Sequence, residues 1–136
     1  MCEKFELTRH LVKGASTGNK ILVTDKPNRA NANHSYTISG FNTATNDSQT
    51  LFEPAVSEIE LLFQNGPIPE KGKNGVTMED LLAICLHRLR GFQTGPFLCE
   101  ENQTAFEHIE LALAALNQRT EKRIQQNVEG KELHHE

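Results

Sequence analysis

Apolar side chains recur at 3, 4, 3 spacing twice in the second half of this chain. They fall at Leu82, Cys85, Leu89 and Phe92, and again at Phe106, Ile109, Leu113 and Leu116. That spacing is the mark of two amphipathic helices, each with one apolar seam. Thr77 opens the first, with Asp80 three residues later as a shortened capping box and Glu79 in the first turn. The second begins near Cys99, after Gly95-Pro96, and runs to about Asn127, where Gly130 in VEGK supplies a stop. Because the link at 91–97, GFQTGPF, is short, the two helices are expected to pack as an antiparallel αα-hairpin. Helices of about 16 and about 28 residues span roughly 24 and 42 Å, so their lengths do not match. The last turns of the longer one, with Arg119, Thr120, Arg123 and Ile124, are expected to overhang and to dock on the sheet or on another subunit.

The first half alternates differently. Residues 21–24, ILVT, are apolar and β-branched, and the DKPN that follows is turn chemistry. Residues 34–41, HSYTISGF, place Tyr36, Ile38 and Phe41 near one face of a second strand. Residues 42–50 are almost wholly polar and read as a mobile hairpin loop. A third strand, EIELLFQ at 58–64, ends at Asn65-Gly66-Pro67. Residues 1–20 hold one short apolar patch, Leu7 to Val12, and read as a loose arm or a short helix. The fold class is therefore α+β: a small antiparallel N-terminal β-sheet followed by a C-terminal αα-hairpin, oligomerising. Residues 1–66 form the β-rich half, 67–130 the hairpin half and 131–136 a charged tail, within one compact domain.

Composition narrows the function. With 136 residues there is room for one domain with a modest core. The net charge of −4 and pI of about 5.9 supply no general field for a nucleic-acid polymer or an anionic membrane. An anionic ligand must instead be held by a local arginine cluster. Only 6% of residues are aromatic, and Trp is absent, so Phe92, Phe97 and Tyr36 are the notable stacking surfaces. Cys2, Cys85 and Cys99 are odd in number, and two lie among apolar neighbours, as expected of reduced core thiols. No apolar run approaches the roughly 18 residues of a membrane span, and the N-terminus lacks a signal-peptide core, which suits an intracellular protein.

Several positions carry candidate chemistry. Arg119 and Arg123 are i and i+4, with Thr120 adjacent, so two guanidinium groups and a hydroxyl can clamp a diphosphate. Equally, helix C-termini favour positive charge for its own sake. Phe92 ends the first seam beside the turn, where its ring can stack on a purine or simply close the core. Asn102 stands in the first turn of the long helix, as a ligand contact among free N–H groups or as a plain cap. Arg88 and Arg90 flank the seam on a solvated face. Cys85 and His87 cannot face one point on a helix, His108 stands apart, and His134 and His135 are in the tail, so no metal site is expected. No nucleophile has a recognisable base, and there is no phosphate-binding loop of known pattern.

The run FQNGPIPEKGKNGVTMEDLLAICLHRLRGFQTGPF, continuing through CEENQTAFEHIELALAALNQRTEKR to NVEGK, resembles the hairpin domain shared by phage anti-CBASS and anti-Thoeris sponge proteins. The resemblance covers residues 63–130. Upstream, ANHSYTI after the DKPN turn looks like the β-rich part of the anti-Thoeris sponges in particular. It implies a protein without enzymatic activity or cofactor in the host bacterial cytoplasm, sequestering cyclic ADP-ribose isomers made by TIR proteins. Some members also hold cyclic di- or trinucleotides at separate sites, and members assemble as dimers and hexamers. By this resemblance Phe92 stacks on the adenine, Asn102 contacts the ligand, and Arg119 binds phosphate or ribose, joined by Arg123 and Thr120. The sheet, through Asn33, His34 and Tyr36, is expected to cover the pocket. Many relatives have a basic residue where this chain has Glu100, whose carboxylate would repel a phosphate. A hydrolase of such signals and a nucleotide-independent interaction hairpin are the open alternatives.

Overall fold

The computed structural model describes residues 4–49 and 53–128. Cys2, Thr50, Gly130, His134, His135 and the charged tail at 131–136 lie outside the described residues. The chain divides into two units. One runs up to Asn65 and takes in Lys73–Gly75, and the other comprises Gly66–Gly72 with the residues from Val76 onward.

The first unit is a four-stranded antiparallel meander, β1 (Phe5–Leu7), β2 (Lys20–Val23), β3 (Ser35–Ser39) and β4 (Glu58–Leu62), in that spatial order. Its register aligns two apolar rows on one face. Phe5, Val23, Tyr36 and Leu61 make one row, and Leu7, Ile21, Ile38 and Ile59 the other. The row between them on the opposite face is Glu6, Leu22, Thr37 and Glu60. Period-two alternation thus sets the register, since a slip by one residue would turn the apolar rows to the other face. Val23, 2% exposed, is the only fully buried side chain among the described residues. Tyr36 packs edge-on against Phe63 at 5.6 Å.

Three expected strands match β2, β3 and β4. The fourth, β1, lies where a loose arm or short helix was expected. Its three residues are too few to show alternation, and the neighbouring apolar pair Leu11 and Val12 stays exposed at 44% and 68%. The polar 42–50 stretch contains a short 3-10 turn, Thr43–Thr45, capped by the Asn42 side chain, which accepts from the Ala44 N–H at 2.8 Å. Lys73–Gly75 joins the sheet unit through Asn74, whose side chain accepts from the Asn65 N–H at 2.9 Å and donates to the Asn65 carbonyl at 2.8 Å. A Cβ at Gly75 would stand 2.5 Å from the Leu62 carbonyl oxygen, so only glycine fits there.

The second unit begins with a single turn, α1 (Ile68–Lys71), in the stretch read as a border. It continues with α2 (Met78–Gln93) and α3 (Glu100–Val128), which pack on each other. The capping box is complete: the Thr77 hydroxyl accepts from the Asp80 N–H at 3.1 Å, and the Asp80 carboxylate accepts from the Thr77 N–H at 3.0 Å. Such a cap contributes about 1 kcal/mol.

The seam of α3 is as expected, but that of α2 is turned. Leu82, Leu86 and Leu89 are half-buried, whereas Cys85 and Phe92 are exposed. Two polar contacts set this rotation. Glu79 pairs with Arg119 across the hairpin, and Gln93 reaches Cys99 on the other side of the turn. Both sit on the Leu82–Leu86–Leu89 face, because 79, 82, 86, 89 and 93 repeat at helical spacing. Cys85 and Phe92 belong to a second apolar stripe that the 3, 4, 3 count merged with the first. Cys85 is therefore an exposed free thiol rather than a core one, and Cys99 is a half-buried free thiol.

The Arg119–Glu79 pair also marks the antiparallel alignment. Arg119 stands opposite the first turn of α2, so the overhang begins after it and runs from Thr120 to Val128, roughly 13 Å of helix.

Candidate functional site

The candidate residues of the hairpin gather at its two ends. At the turn, Phe92 occupies the last turn of α2 and is 39% exposed. The Arg88 guanidinium, one helical turn earlier, lies over its ring at 5.6 Å from the centroid, within cation–π range. Sequence reasoning left Arg88 on a solvated face, although its i, i+4 relation to Phe92 is the signal that could have found it.

Asn102 is half-buried in the first turn of α3, and its N–H donates to Cys99 Sγ at 3.4 Å. Cys99 is in turn held by Gln93. The Gln93 amide donates to the Cys99 carbonyl at 3.0 Å and accepts from the Cys99 N–H at 3.0 Å. This side-chain clamp closes the turn much as a pair of backbone bonds would, and spacing alone did not reveal it. Glu100 and Glu101 fill the first turn with carboxylates, which already complement the positive end of the helix. The shallow depression over Glu100, Glu101, Thr104 and Ala105 is acidic on the same account.

At the far end, Arg119 is half-exposed and lies 3.7 Å from the Glu79 carboxylate. A surface pair of this kind is worth at most about 1 kcal/mol, so a phosphate can displace the carboxylate. Arg123 donates to the Thr120 hydroxyl at 3.2 Å, and that hydroxyl donates to the Leu116 carbonyl at 3.3 Å. Arg119, Thr120 and Arg123 follow one another on the last turns of α3, while Phe92 and Asn102 both lie at the turn end, Asn102 joined through Cys99 to Gln93, the residue after Phe92. The two groups do not meet within one chain. Thirteen residues of α2 separate Glu79 from Phe92, roughly 20 Å along the axis.

The sheet unit places Asn33, His34 and Tyr36 around Asp25 and β3. The Asn33 side chain donates to the Asp25 carbonyl at 2.8 Å, and the His34 and Ser35 N–H groups donate to the Asp25 carboxylate at 2.9 and 3.2 Å. The His34 ring meets the Asn28 amide at 3.3 Å, and Asn28 itself shapes the loop by accepting from the Ala30 N–H at 2.9 Å. Asn31 adopts the left-handed conformation in that loop, at φ 62°. The Asn33 side chain thus helps hold the β2–β3 connection, whereas the His34 ring keeps a buried Nδ1 with no hydrogen-bond partner and Tyr36 packs on Phe63.

Burial pushes the Asp25 carboxyl upward, but the backbone N–H groups of His34 and Ser35, the Asn33 side chain and the His34 charge outweigh it and hold it below its ordinary value. A depressed carboxylate stabilises the fold above its unfolded value, about pH 4, and that stability is lost as pH falls through the lower folded value. Asp25→Ala, which leaves two backbone donors without their acceptor, is expected to cost about 1–2 kcal/mol at pH 7. It should also flatten the acid side of a Tm-against-pH curve. An unchanged acid limb would show that the carboxylate is not coupled to folding.

Two antiparallel helices with this turn and this seam make a hairpin of a known kind: residues 57–121 match the family described as Acb2/Tad1, hairpin domain. A particular relative is the protein named Thoeris anti-defense 1 of Bacillus phage SBSphiJ7, 50% identical over 68 residues. The match takes in 50% of this chain and 48% of that protein, so it spans about half the length of the curated relative. Among the described residues, no helix is long and apolar enough to cross a membrane.

Proposed function

We propose that this chain is a phage anti-defence sponge, which binds cyclic ADP-ribose isomers produced as immune signals and withholds them from Thoeris effectors without cleaving them. The observation that carries the reading is the 50% identity to a protein named for Thoeris anti-defence, with the exposed ring of Phe92 inside the matched domain. A sponge needs tight binding without turnover, and rigid stacking with fixed charges supplies it. Phe92 stacks on the adenine, Asn102 contacts the ligand beside it, and Arg119, Thr120 and Arg123 take phosphate or ribose. Since the two groups stand roughly 20 Å apart on one hairpin, the pocket is built between chains of a homo-oligomer, from dimer to hexamer. The exposed Met78, Ile84, Leu111 and Ile124 of the hairpin supply apolar surface for that assembly. Cyclic di- or trinucleotides would occupy separate sites, which Glu100 disfavours wherever it faces a phosphate.

The test is recovery. The protein is loaded with a cyclic ADP-ribose isomer, separated from free ligand, heat-denatured and its supernatant chromatographed. Intact ligand at the stoichiometry loaded is the expected result. A cleaved product would make the protein a hydrolase, and an empty protein would favour a nucleotide-independent interaction module. Light scattering on the eluting protein should report a multimer, and a monomeric mass would remove the inter-chain pocket.

A further inference from the structure

A ligand that stacks on Phe92 and carries phosphate needs a cation close to that ring. The arginines of the far end do not provide one within the same chain, being roughly 20 Å away along α2. The turn end itself is acidic through Glu100 and Glu101. Arg90 is two residues from Arg88 and so projects to the other side of α2. Arg88 remains, its guanidinium over the Phe92 ring at 5.6 Å from the centroid.

Its surroundings leave its charge available. The residues three and four positions away on α2 are Ile84, Cys85, Gly91 and Phe92, none of them acidic. Among the described residues no carboxylate lies within ion-pair reach of Arg88, whereas Arg119 is paired with Glu79. A guanidinium lying on an aromatic face keeps its N–H donors at its edge, where they fit phosphate oxygens in a bidentate manner. With the guanidinium on one side of the ring, a base has the other face of Phe92 to stack on, and the cation stands within reach of an anion carried by that base.

Resting on the nucleotide-binding reading above, we propose that Arg88 is a ligand-binding residue of this site, which takes a phosphate of the nucleotide stacked on Phe92. It supplies positive charge at the turn end, roughly 20 Å from the arginines of the far end of the same hairpin.

Calorimetry of the full chain with a cyclic ADP-ribose isomer at low and high salt tests this, beside ligand-observed NMR with adenosine, which has the base and no phosphate. Arg88→Gln should weaken the cyclic ligand about tenfold or more and flatten the salt dependence of its affinity, while any adenosine signal stays as in the parent. Arg88→Lys, which keeps the charge and loses the flat fork, should fall between. Circular dichroism is expected to show both variants folded, as the residue is exposed. Unchanged affinity in Arg88→Gln overturns the proposal, and so does weakened binding with an unchanged salt slope, since Arg88 would then only support the ring. A parent protein that binds neither probe overturns the sponge reading itself, and Arg88 with it.

Discussion

Phe92→Ala is expected to weaken binding of the cyclic ADP-ribose ligand by about 1–3 kcal/mol, roughly 5- to 150-fold, the worth of one base stacked on one aromatic ring. The fold should hardly notice. Phe92 is 39% exposed and lies outside the Leu82–Leu86–Leu89 seam, so its removal leaves no cavity between α2 and α3. Helical circular dichroism and Tm therefore stay close to the parent while the titration changes. Phe92→Tyr keeps a flat face of similar area and is expected to retain most of the affinity. If Phe92→Ala binds as the parent does, the base sits elsewhere and the exposed ring serves assembly or nothing. If it loses helix content as well as affinity, the ring is structural.

Val23→Asp is expected to unfold the sheet unit. The apolar face of the meander has one side chain wholly removed from solvent, and it lies between the aromatic side chains of its register partners Phe5 and Tyr36, with no cation among these neighbours to pair a carboxylate. Burying an unpartnered charge among them costs on the order of 4 kcal/mol or more. That is a large share of what holds any small unit folded. Hydrogen exchange separates the outcome by region. Amides of β2 and β3 should lose protection, and the effect on α2 and α3 is read in the same experiment. Val23→Ala, which removes two methyl groups, should cost only about 1–2 kcal/mol. A Val23→Asp variant with native strand protection would mean that the buried position is not the keystone of the face.

Most of the architecture was legible from periodicity. The 16-residue length of α2, the capping box at Thr77 and the seam of α3 all follow from the residues, because helical spacing persists over many turns. The rotation of α2 did not follow. Leu81, Leu82, Cys85, Leu86, Leu89 and Phe92 can be divided into two overlapping stripes, and polar contacts at Glu79 and Gln93 mark the one that faces α3. A pattern count weighs apolar residues only and is blind to such a choice. The strand β1 escaped for a different reason: three residues carry no period, and only pairing with β2 makes them a strand. At the candidate site the residue types were readable and their grouping was not. Arg119 and Arg123 share a helical face on paper, yet one pairs across the hairpin and the other bonds to Thr120. Asn33 and the His34 backbone hold the loop around Asp25, a use that the residue types alone do not show. The cation over Phe92 was passed over because a solvent-facing arginine looks like any other until the ring beneath it is seen.

The Gln93–Cys99 clamp has a kinetic side. Closing a loop costs more entropy as it lengthens, and these partners are six residues apart, whereas β3 and β4 pair across an intervening stretch of 18 residues. Closure at the turn is therefore less demanding than pairing β3 with β4, and the seam can zip outward from it toward the Glu79–Arg119 pair. The end of the hairpin that presents Phe92 is then the first part to take shape, and the overhanging basic end the last.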